Sequence, residues 1–460
     1  MIEELEIKGL WWLPENPNFR LPGTLTFSPY KGFSLELQGS FSERNIFFRP
    51  DIILGFSNLG KEITLYNCFV RKYRFNLAGI PETVFSANFG FIGAHFAQLS
   101  DIKFKRISVK YNYLDEWLNI NGFNITFKSE EISVEIKYKL PSPIEINLKN
   151  GLKILLEFRV CLPSLSIVQT EACVKQQSFL TIESPEEMTF DIFHGYIYIF
   201  QSLFSLFTSE VVYPVKILGY FGKTKRNDYE PVEIIYQIAS SLSNKVNKSL
   251  LPHDMLCPYA FIKERVVEVF NNWLEKSILL KPVYDLYFAI VYSSDLPLEF
   301  KFLSIVMALE VYHRRMVSNE DIPANEHERK IKEILSNTPE QYKNWLKEKL
   351  EYSNEPSLRK RIKEIYGMLE NICYVTNLIP NKKDFVNKVV NTRNYFVHYD
   401  QSLENEASKG PELYWLIQQI KILVEICLLK ELCFSDSEVD NILSKSRKYQ
   451  FLIRQMNDLK

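Results

Sequence analysis

The sequence lacks several features that would assign the protein to a class at once. Its net charge is only -1 across 460 residues, so no overall field attracts nucleic acid and any such site must be a local patch. The seven cysteines are odd in number and contain no C-x-x-C pair, so they indicate neither a disulfide framework nor a zinc site. The start, MIEELEIKGLWW, has neither the basic nor the apolar region of a signal peptide.

A long uninterrupted hydrophobic run is also missing. The most apolar stretch extends from Ile192 to Ser209, and His194, Gly195 and Gln201 interrupt it. This stretch is too short and too polar to predict a membrane span, and a buried helix is the favoured interpretation. We therefore expect a cytoplasmic protein that has no contact with a membrane.

What the sequence does contain is a high share of aromatic residues, 14% of the chain, and a first part with the pattern of β-strands. Residues 1–180 hold short segments that alternate apolar and polar positions, separated by turn pairs such as Pro22-Gly23, Asn121-Gly122 and Asn150-Gly151. Because 460 residues exceed one ordinary core, two or three domains are expected. The pattern predicts a β-rich N-terminal domain over residues 1–180, built as an antiparallel sandwich or barrel.

The pattern changes after residue 180. Residues 185–208 read as a helix, and we assign the mixed region 181–290 to the N-terminal module. From residue 262 onward, apolar residues recur at three- and four-residue spacing, which predicts helices at 262–277, 281–293, 298–316, 325–336, 340–352, 356–375, 383–398 and 412–433. The predicted fold class is α+β multidomain, with an all-α bundle over residues 291–460.

One predicted helix contains the stretch NTRNYFVHYD, Asn391 to Asp400. A helix advances about 100° per residue, so Asn394 and His398 project about 40° apart, whereas Arg393 and His398 project about 140° apart. Arg393 could approach the histidine through its long side chain, through a distorted helix, or from a second chain. The third route predicts a site formed where two such helices meet in a symmetric dimer.

These residue types suit one chemistry. A histidine can pass a proton in either direction near neutral pH, and an arginine offers a planar fork of donors to phosphate. With an asparagine to hold the imidazole or a phosphate oxygen, they could drive attack of a ribose 2′-hydroxyl on its adjacent phosphodiester. The sequence predicts no metal ion and no cofactor. Spacing alone, however, favours an ordinary helix with a surface arginine and a half-buried histidine.

Three stretches resemble a known family. Arg393-Asn394-Tyr395-Phe396-Val397-His398 matches the R-N-x-x-x-H motif of HEPN domains, many of which are metal-independent ribonucleases. SIVMALEVYHRRM, Ser304 to Met316, looks like the first long helix of the ApeA-type HEPN domain. GLWWLP, Gly9 to Pro14, followed by PGTL, Pro22 to Leu25, is similar to the start of the ApeA N-terminal domain. The region around residues 180–290 carries no motif that can be matched.

The resemblance implies a two-part anti-phage protein acting by abortive infection. Its N-terminal part would sense or restrain, and its HEPN part would act as a toxin that cleaves RNA, commonly as a dimer with two motifs facing each other. Arg393, Asn394 and His398 would be the catalytic set. Glu310, on an earlier helix, is a further catalytic candidate, and its alternative role is a salt bridge to Arg314.

The expected partners are RNA, a second copy or more of the chain, and a phage-derived trigger. Loops such as those of tRNA are plausible substrates because their unstacked bases and 2′-hydroxyls are accessible. Lys383, Lys388 and Arg314 are the predicted RNA-binding residues, and His313 and Arg315 could contact RNA or simply face solvent. The alternative function is a catalytically silent HEPN protein that binds or dimerises.

Overall fold

The structure is a computed structural model that describes residues 4–42, 48–74, 79–128, 133–163, 170–221, 231–238, 249–293, 295–317 and 319–458. The chain divides into two compact units, residues 1–267 and residues 268–460. The first unit contains the β-strands, and the second is helical. No helix among the described residues is long and apolar enough to cross a membrane.

The strands follow the alternating pattern of the sequence. Their bounds are β1 (Leu5–Trp12), β2 (Leu21–Ser28), β3 (Gly32–Gln38), β4 (Ile52–Ser57), β5 (Glu62–Arg74), β6 (Glu82–Ile92), β7 (Lys103–Tyr111), β8 (Phe123–Lys128), β9 (Ser133–Tyr138), β10 (Ile144–Asn147), β11 (Lys153–Cys161), β12 (Lys175–Thr189), β13 (Pro214–Tyr220) and β14 (Val232–Tyr236). Their named pairings are all antiparallel, and β8 with β9 forms a separate hairpin.

Six of the strands close into a barrel, in the order β6-β3-β2-β1-β4-β5, because β5 also pairs with β6. Its interior holds large side chains such as Trp11 and Phe33. A Cβ atom at Gly55 would lie 2.3 Å from the Trp11 ring, and one at Gly90 would lie 2.5 Å from the Phe33 ring. Glycine at these two wall positions therefore makes room for the largest core residues.

An open sheet continues from the barrel through β14, in the order β14-β13-β7-β12-β11-β10. Helix α2 (Phe190–Thr208) packs against β7 and β12, and the Tyr111 hydroxyl donates to the Ile197 carbonyl at 2.8 Å. The helix predicted over residues 185–208 begins only at Phe190. The prediction is wrong for the first five residues because β12 continues pairing with β7 as far as Thr189.

The helical unit follows the three- and four-residue spacing closely. Besides α1 (Leu114–Leu118) and α3 (Tyr259–Ile262) of the first unit, the helices are α4 (Val266–Leu279), α5 (Lys281–Tyr292), α6 (Leu298–Met316), α7 (Ala324–Ser336), α8 (Glu340–Leu350), α9 (Leu358–Leu369), α10 (Cys373–Leu378), α11 (Lys382–His398), α12 (Gly410–Glu431), α13 (Asp436–Lys445) and α14 (Arg447–Asp458). The core forms where α5, α6 and α12 pack, with α9 and α11 against α6.

One helical prediction needs correction, and the helices continue beyond the last predicted bounds. The single helix predicted over 356–375 is interrupted, because Ile372 leaves the helical conformation with φ -83° and ψ 111° before α10 begins. The helices predicted with explicit bounds end at residue 433, and α13 and α14 lie beyond them within the predicted all-α region. Ser435 and Glu438 form a reciprocal capping box at the start of α13, a signal that was readable in the sequence.

The predicted fold class is confirmed. A β-rich N-terminal part precedes an all-α C-terminal part, and the choice between sandwich and barrel resolves to a six-stranded barrel with an open sheet attached.

Candidate functional site

The candidate site lies on α11 and the segment that follows it. Asn381 caps the helix: its side-chain oxygen accepts a hydrogen bond from the Asp384 backbone amide at 3.1 Å. Phe385, Val386, Val389 and Thr392 are its buried residues, which agrees with the apolar stripe in the sequence. The helix remains α-helical as far as His398, so the motif sits on an undistorted last turn and a half.

Contacts from two sides hold the motif-bearing end of α11. The Phe396 ring packs against Phe302 of α6, with centroids 6.1 Å apart. The chain beyond α11 then turns back along the helix, where the Ser408 amide donates to the Thr392 hydroxyl at 2.9 Å and the Asn391 side chain donates to Glu406 at 2.6 Å. These contacts fix the backbone that carries Arg393, Asn394 and His398.

Arg393 and Asn394 are hydrogen-bonded to each other. The Arg393 guanidinium donates to the Asn394 amide oxygen at 3.3 Å, and both side chains are half-buried. His398 is exposed, and in the described part of the chain it has no hydrogen bond to either residue. The arginine thus reaches its neighbour rather than the histidine, and the helix is not bent to join all three.

Two charged residues that follow α11, Asp400 and Lys409, were not singled out from the sequence. Asp400 accepts hydrogen bonds from the Ser402 hydroxyl at 2.7 Å and the Ser402 amide at 2.9 Å; these bonds lower the pKa of Asp400, and the nearby His398 lowers it further. The Lys409 ammonium lies 4.8 Å from the Tyr395 ring centroid. The sequence did contain a signal for the Asp400 hydrogen bonds, namely Asp-Gln-Ser directly after the helix, because aspartate side chains in turns commonly accept hydrogen bonds from residues two positions later.

Glu310 occupies a different environment from the motif. It is half-buried on α6, and the guanidinium it influences is that of Arg361 on α9. Among the described residues, no hydrogen bond or ion pair connects Glu310 with Arg393, Asn394 or His398. The alternative salt bridge from Glu310 to Arg314 is wrong, because Arg314 donates to Glu355 at 2.8 Å instead.

Two of the three predicted RNA-binding cations already form ion pairs with carboxylates. Lys388 lies 2.8 Å from Glu412 and 3.6 Å from Asp384, and its hydrogen bond to Glu412 raises the pKa of the lysine. Arg314 is paired with Glu355. Lys383 is exposed in the first turn of α11 and has no ion pair within the part of the chain that the structure covers.

His313 is unsuited to contact RNA because it is completely buried. Its Nε2 lies 2.6 Å from Glu364 and its Nδ1 lies 3.1 Å from the Arg361 guanidinium. Burial lowers the pKa of His313, and the hydrogen bond that its imidazole donates to Glu364 opposes that shift. Arg315 is exposed and donates to the Leu279 carbonyl. The suggestion that His313 faces RNA or solvent is therefore wrong.

Known families match both parts of the chain. The family model for ApeA N-terminal domain 1 matches residues 6–273, which is more than half of the chain, and the model for Apea-like HEPN matches residues 303–438. The chain belongs to the ApeA family. Its HEPN domain includes the whole of α11 and the motif. No curated protein and no solved structure matches the chain.

HEPN domains commonly bind RNA and dimerise, and many are ribonucleases. In the described ranges, no group of three or more His, Cys, Asp or Glu side chains is placed to hold a metal ion. What the HEPN domain of this chain offers at the motif is an imidazole, a guanidinium and an amide.

Proposed function

We propose that the chain is a metal-independent endoribonuclease of the HEPN type that acts in anti-phage defence. The observation that carries this proposal is the exposed imidazole of His398, placed one turn after the hydrogen-bonded Arg393–Asn394 pair on a firmly packed helix. An accessible imidazole beside a phosphate-binding guanidinium is what phosphodiester transesterification requires.

The proposed reaction needs only these side chains, the RNA itself and water. His398 removes the proton of a ribose 2′-hydroxyl, and that oxygen attacks the adjacent phosphorus. The bond from phosphorus to the 5′-oxygen breaks, and the leaving oxygen takes up a proton from water, which gives a 2′,3′-cyclic phosphate and a 5′-hydroxyl end. His398 then releases the proton that it took from the 2′-hydroxyl to solvent. Arg393 stabilises the charge that develops on the phosphorane, and Asn394 orients Arg393 by accepting its hydrogen bond.

We propose that the base, His398, and the charge stabiliser, Arg393, of each site come from two different copies of the chain. Within one copy, Arg393 bonds to Asn394 and not to His398. A second α11 that meets the first across a two-fold axis would place the Arg393–Asn394 pair of one copy against His398 of the other. Each dimer would then contain two identical composite sites.

A mixing experiment tests catalysis and the composite site together. His398→Ala should slow RNA cleavage about 100-fold or more, because a general base is lost. Arg393→Ala should slow it about 100-fold to 1000-fold, because the phosphorane loses its counter-charge. Exchanging subunits between the two inactive variants should restore about a quarter of wild-type activity, since half of the dimers would carry one intact site. Cleavage of tRNA and total RNA would be measured in phage-infected cells and with protein purified from them.

His327→Ala provides the matched control, because His327 lies in the same unit and its imidazole bonds to the Ser353 hydroxyl at 2.9 Å and, among the described residues, to no member of the motif. Its activity should equal that of the wild type. Full cleavage by His398→Ala would refute the catalytic assignment. Two inactive variants that fail to complement would instead place Arg393 and His398 of one chain in one site. A wild-type protein that cuts no RNA in infected cells would support the silent, binding-only alternative.

The remaining roles follow the two-unit organisation. We propose that the N-terminal unit senses a phage-derived trigger or restrains the HEPN domain until infection. Lys383 is the best placed of the predicted RNA-binding cations because it is exposed and lacks an ion pair among the described residues, whereas Lys388 and Arg314 must first leave their carboxylate partners. Glu310 is proposed to support the site only through α6 and Arg361.

A further inference from the structure

The open sheet of the N-terminal unit contains a cleft of about 500 Å³ that none of the functions above uses. Three lysines from three neighbouring strands line it, namely Lys110 of β7, Lys175 of β12 and Lys216 of β13. The volume is typical of a pocket for a small molecule.

The lysines occupy one face of the sheet. Lys110 and Lys216 are directly opposite each other in the β7–β13 pairing, so their Cβ atoms project from the same side at close range. Lys175 is close enough for its charge to act on Lys110. Like charges at directly opposed positions destabilise a sheet, and this arrangement therefore lowers the stability of the protein without a ligand.

Within the described ranges, no carboxylate is in direct contact with these lysines. Among the described residues, none of the three lysines forms an ion pair, although Asp115 and Glu116 act on Lys110 from a distance. Lys110 is half-buried, and burial lowers its pKa, with the charge of Asp115 opposing the shift and that of Lys175 adding to it. A bound anion would offset the repulsion between the lysines and the cost of burying the Lys110 ammonium.

The other residues that line the cleft indicate what type of ligand would fit. Leu5 and Ile235 are partly buried and give it an apolar wall, and Gln177 can donate or accept hydrogen bonds. Glu233 is the carboxylate among these lining residues, and it can accept hydrogen bonds from hydroxyl or amino groups on the uncharged part of a ligand. Outside the cleft, Arg159 of the neighbouring strand β11 is paired with Glu157 at 2.6 Å. Its positive charge is therefore already compensated and does not extend the lysine cluster. A short anion with an apolar or ring-shaped part fits this pattern better than an extended polyanion does.

We propose that this lysine cleft is a binding site for a small phosphorylated molecule of nucleotide size. The phosphate lies between Lys110, Lys175 and Lys216, and the remainder of the molecule lies against Leu5 and Ile235. This inference concerns the N-terminal unit alone and does not depend on ribonuclease activity.

The test is calorimetric titration of the full-length protein at low salt with three probes: inorganic pyrophosphate, adenosine 5′-diphosphate and a twelve-residue oligoribonucleotide. Pyrophosphate and the nucleotide should bind saturably, one per chain, and the nucleotide more tightly because of the apolar wall. Lys110→Met and Lys216→Met should each weaken binding about 10-fold to 100-fold, since a charged hydrogen bond is lost. Both variants should melt no lower than the wild type without ligand, because the like-charge pair is gone.

Lys103→Met is the matched control, because Lys103 lies on the same strand as Lys110 but does not line the cleft. Its affinity for both small probes should equal that of the wild type. The proposal is overturned if neither small probe binds, if Lys103→Met weakens binding as much as Lys110→Met does, or if both cleft variants bind normally. Tighter binding of the oligonucleotide than of the nucleotide, lost in both cleft variants, would replace the proposal with an RNA-binding surface.

Discussion

Tyr399, the residue after His398, is held in a left-handed backbone conformation with φ 50° and ψ 38°. Its amide donates to the Tyr395 carbonyl at 2.6 Å and closes the last turn of α11. Residues other than glycine and asparagine rarely occupy this region, and glycine is the usual residue at such helix ends. The Tyr399 side chain is 70% exposed, so burial offsets little of this backbone cost.

Replacing Tyr399 with glycine should therefore stabilise the helical unit. The left-handed conformation costs a non-glycine residue about 1 to 2 kcal/mol, and glycine avoids this cost. Glycine is also more flexible in the unfolded chain, which lowers the resulting gain in stability by about 0.5 to 1 kcal/mol. We expect Tyr399→Gly to raise the free energy of unfolding by about 0.5 to 1 kcal/mol in urea denaturation.

Tyr399→Ala separates the backbone effect from loss of the ring, because alanine retains a Cβ atom in the same conformation. It should not stabilise the protein. If Tyr399→Ala stabilised the unit as much as Tyr399→Gly, the backbone explanation would be wrong and the exposed ring itself would be unfavourable.

Helix α12 carries a buried carboxylate at the centre of the helical unit. Glu425 is only 1% exposed and accepts hydrogen bonds from Tyr287 of α5 at 2.6 Å, Tyr449 of α14 at 2.8 Å and Lys421 at 2.8 Å. Burial raises the pKa of Glu425, but Lys421, Lys448 and the Tyr287 hydrogen bond outweigh burial and leave the pKa below its usual value. One carboxylate thus joins three helices.

Neutralising Glu425 should be costly and should change the response to acid. Glu425→Gln should lower the free energy of unfolding at pH 7 by about 3 kcal/mol, because Lys421 loses its buried partner. Since the folded pKa of Glu425 lies below the unfolded value near 4.5, its stabilisation is present above pH 4.5 and is lost as the pH falls below that value. The difference between wild type and variant should therefore shrink in urea denaturation below pH 4.5.

Glu412→Gln is the matched control on the same helix. Glu412 is exposed and pairs with Lys388 at 2.8 Å, so its replacement should cost less than about 1 kcal/mol. If Glu412→Gln and Glu425→Gln lowered the free energy of unfolding equally, the buried hydrogen bonds of Glu425 would contribute no more to stability than an exposed ion pair does.

At the scale of the whole molecule, the helical unit begins before the HEPN match does. The unit starts at residue 268, whereas the match starts at residue 303. All of α4 after its first two residues and the whole of α5 belong to this unit, and they bury Trp273 and Phe288 and provide the Tyr287 hydrogen bond to Glu425. A fragment that begins at residue 291 would lack these contacts, so the unit should be expressed from residue 268.

If the N-terminal unit restrains the HEPN domain, residues 268–460 alone should arrest bacterial growth without infection. Growth after induction would be compared with that of the full chain, which should remain harmless until phage is added. The fragment carrying His398→Ala should be harmless. A folded wild-type fragment, verified by circular dichroism, that does not slow growth would count against restraint and favour sensing.

The elements and the motif were largely readable from the sequence. The bounds of α6 match the predicted 298–316, and α11 begins one residue before the predicted 383. The order of a β-rich part and a helical part was also readable, as was the R-N-x-x-x-H motif. Hydrophobic periodicity and short motifs are local properties, and a strong periodic pattern decides the type of an element before any partner is known.

Contacts between distant residues were decided only by the tertiary structure. It pairs Arg314 with Glu355, buries His313 against Glu364, and places Lys110 opposite Lys216. Even the orientation of Arg393 toward Asn394 depends on a long side chain with many rotamers. Such arrangements follow from strand register and helix packing between segments far apart in the chain, and no local pattern encodes them.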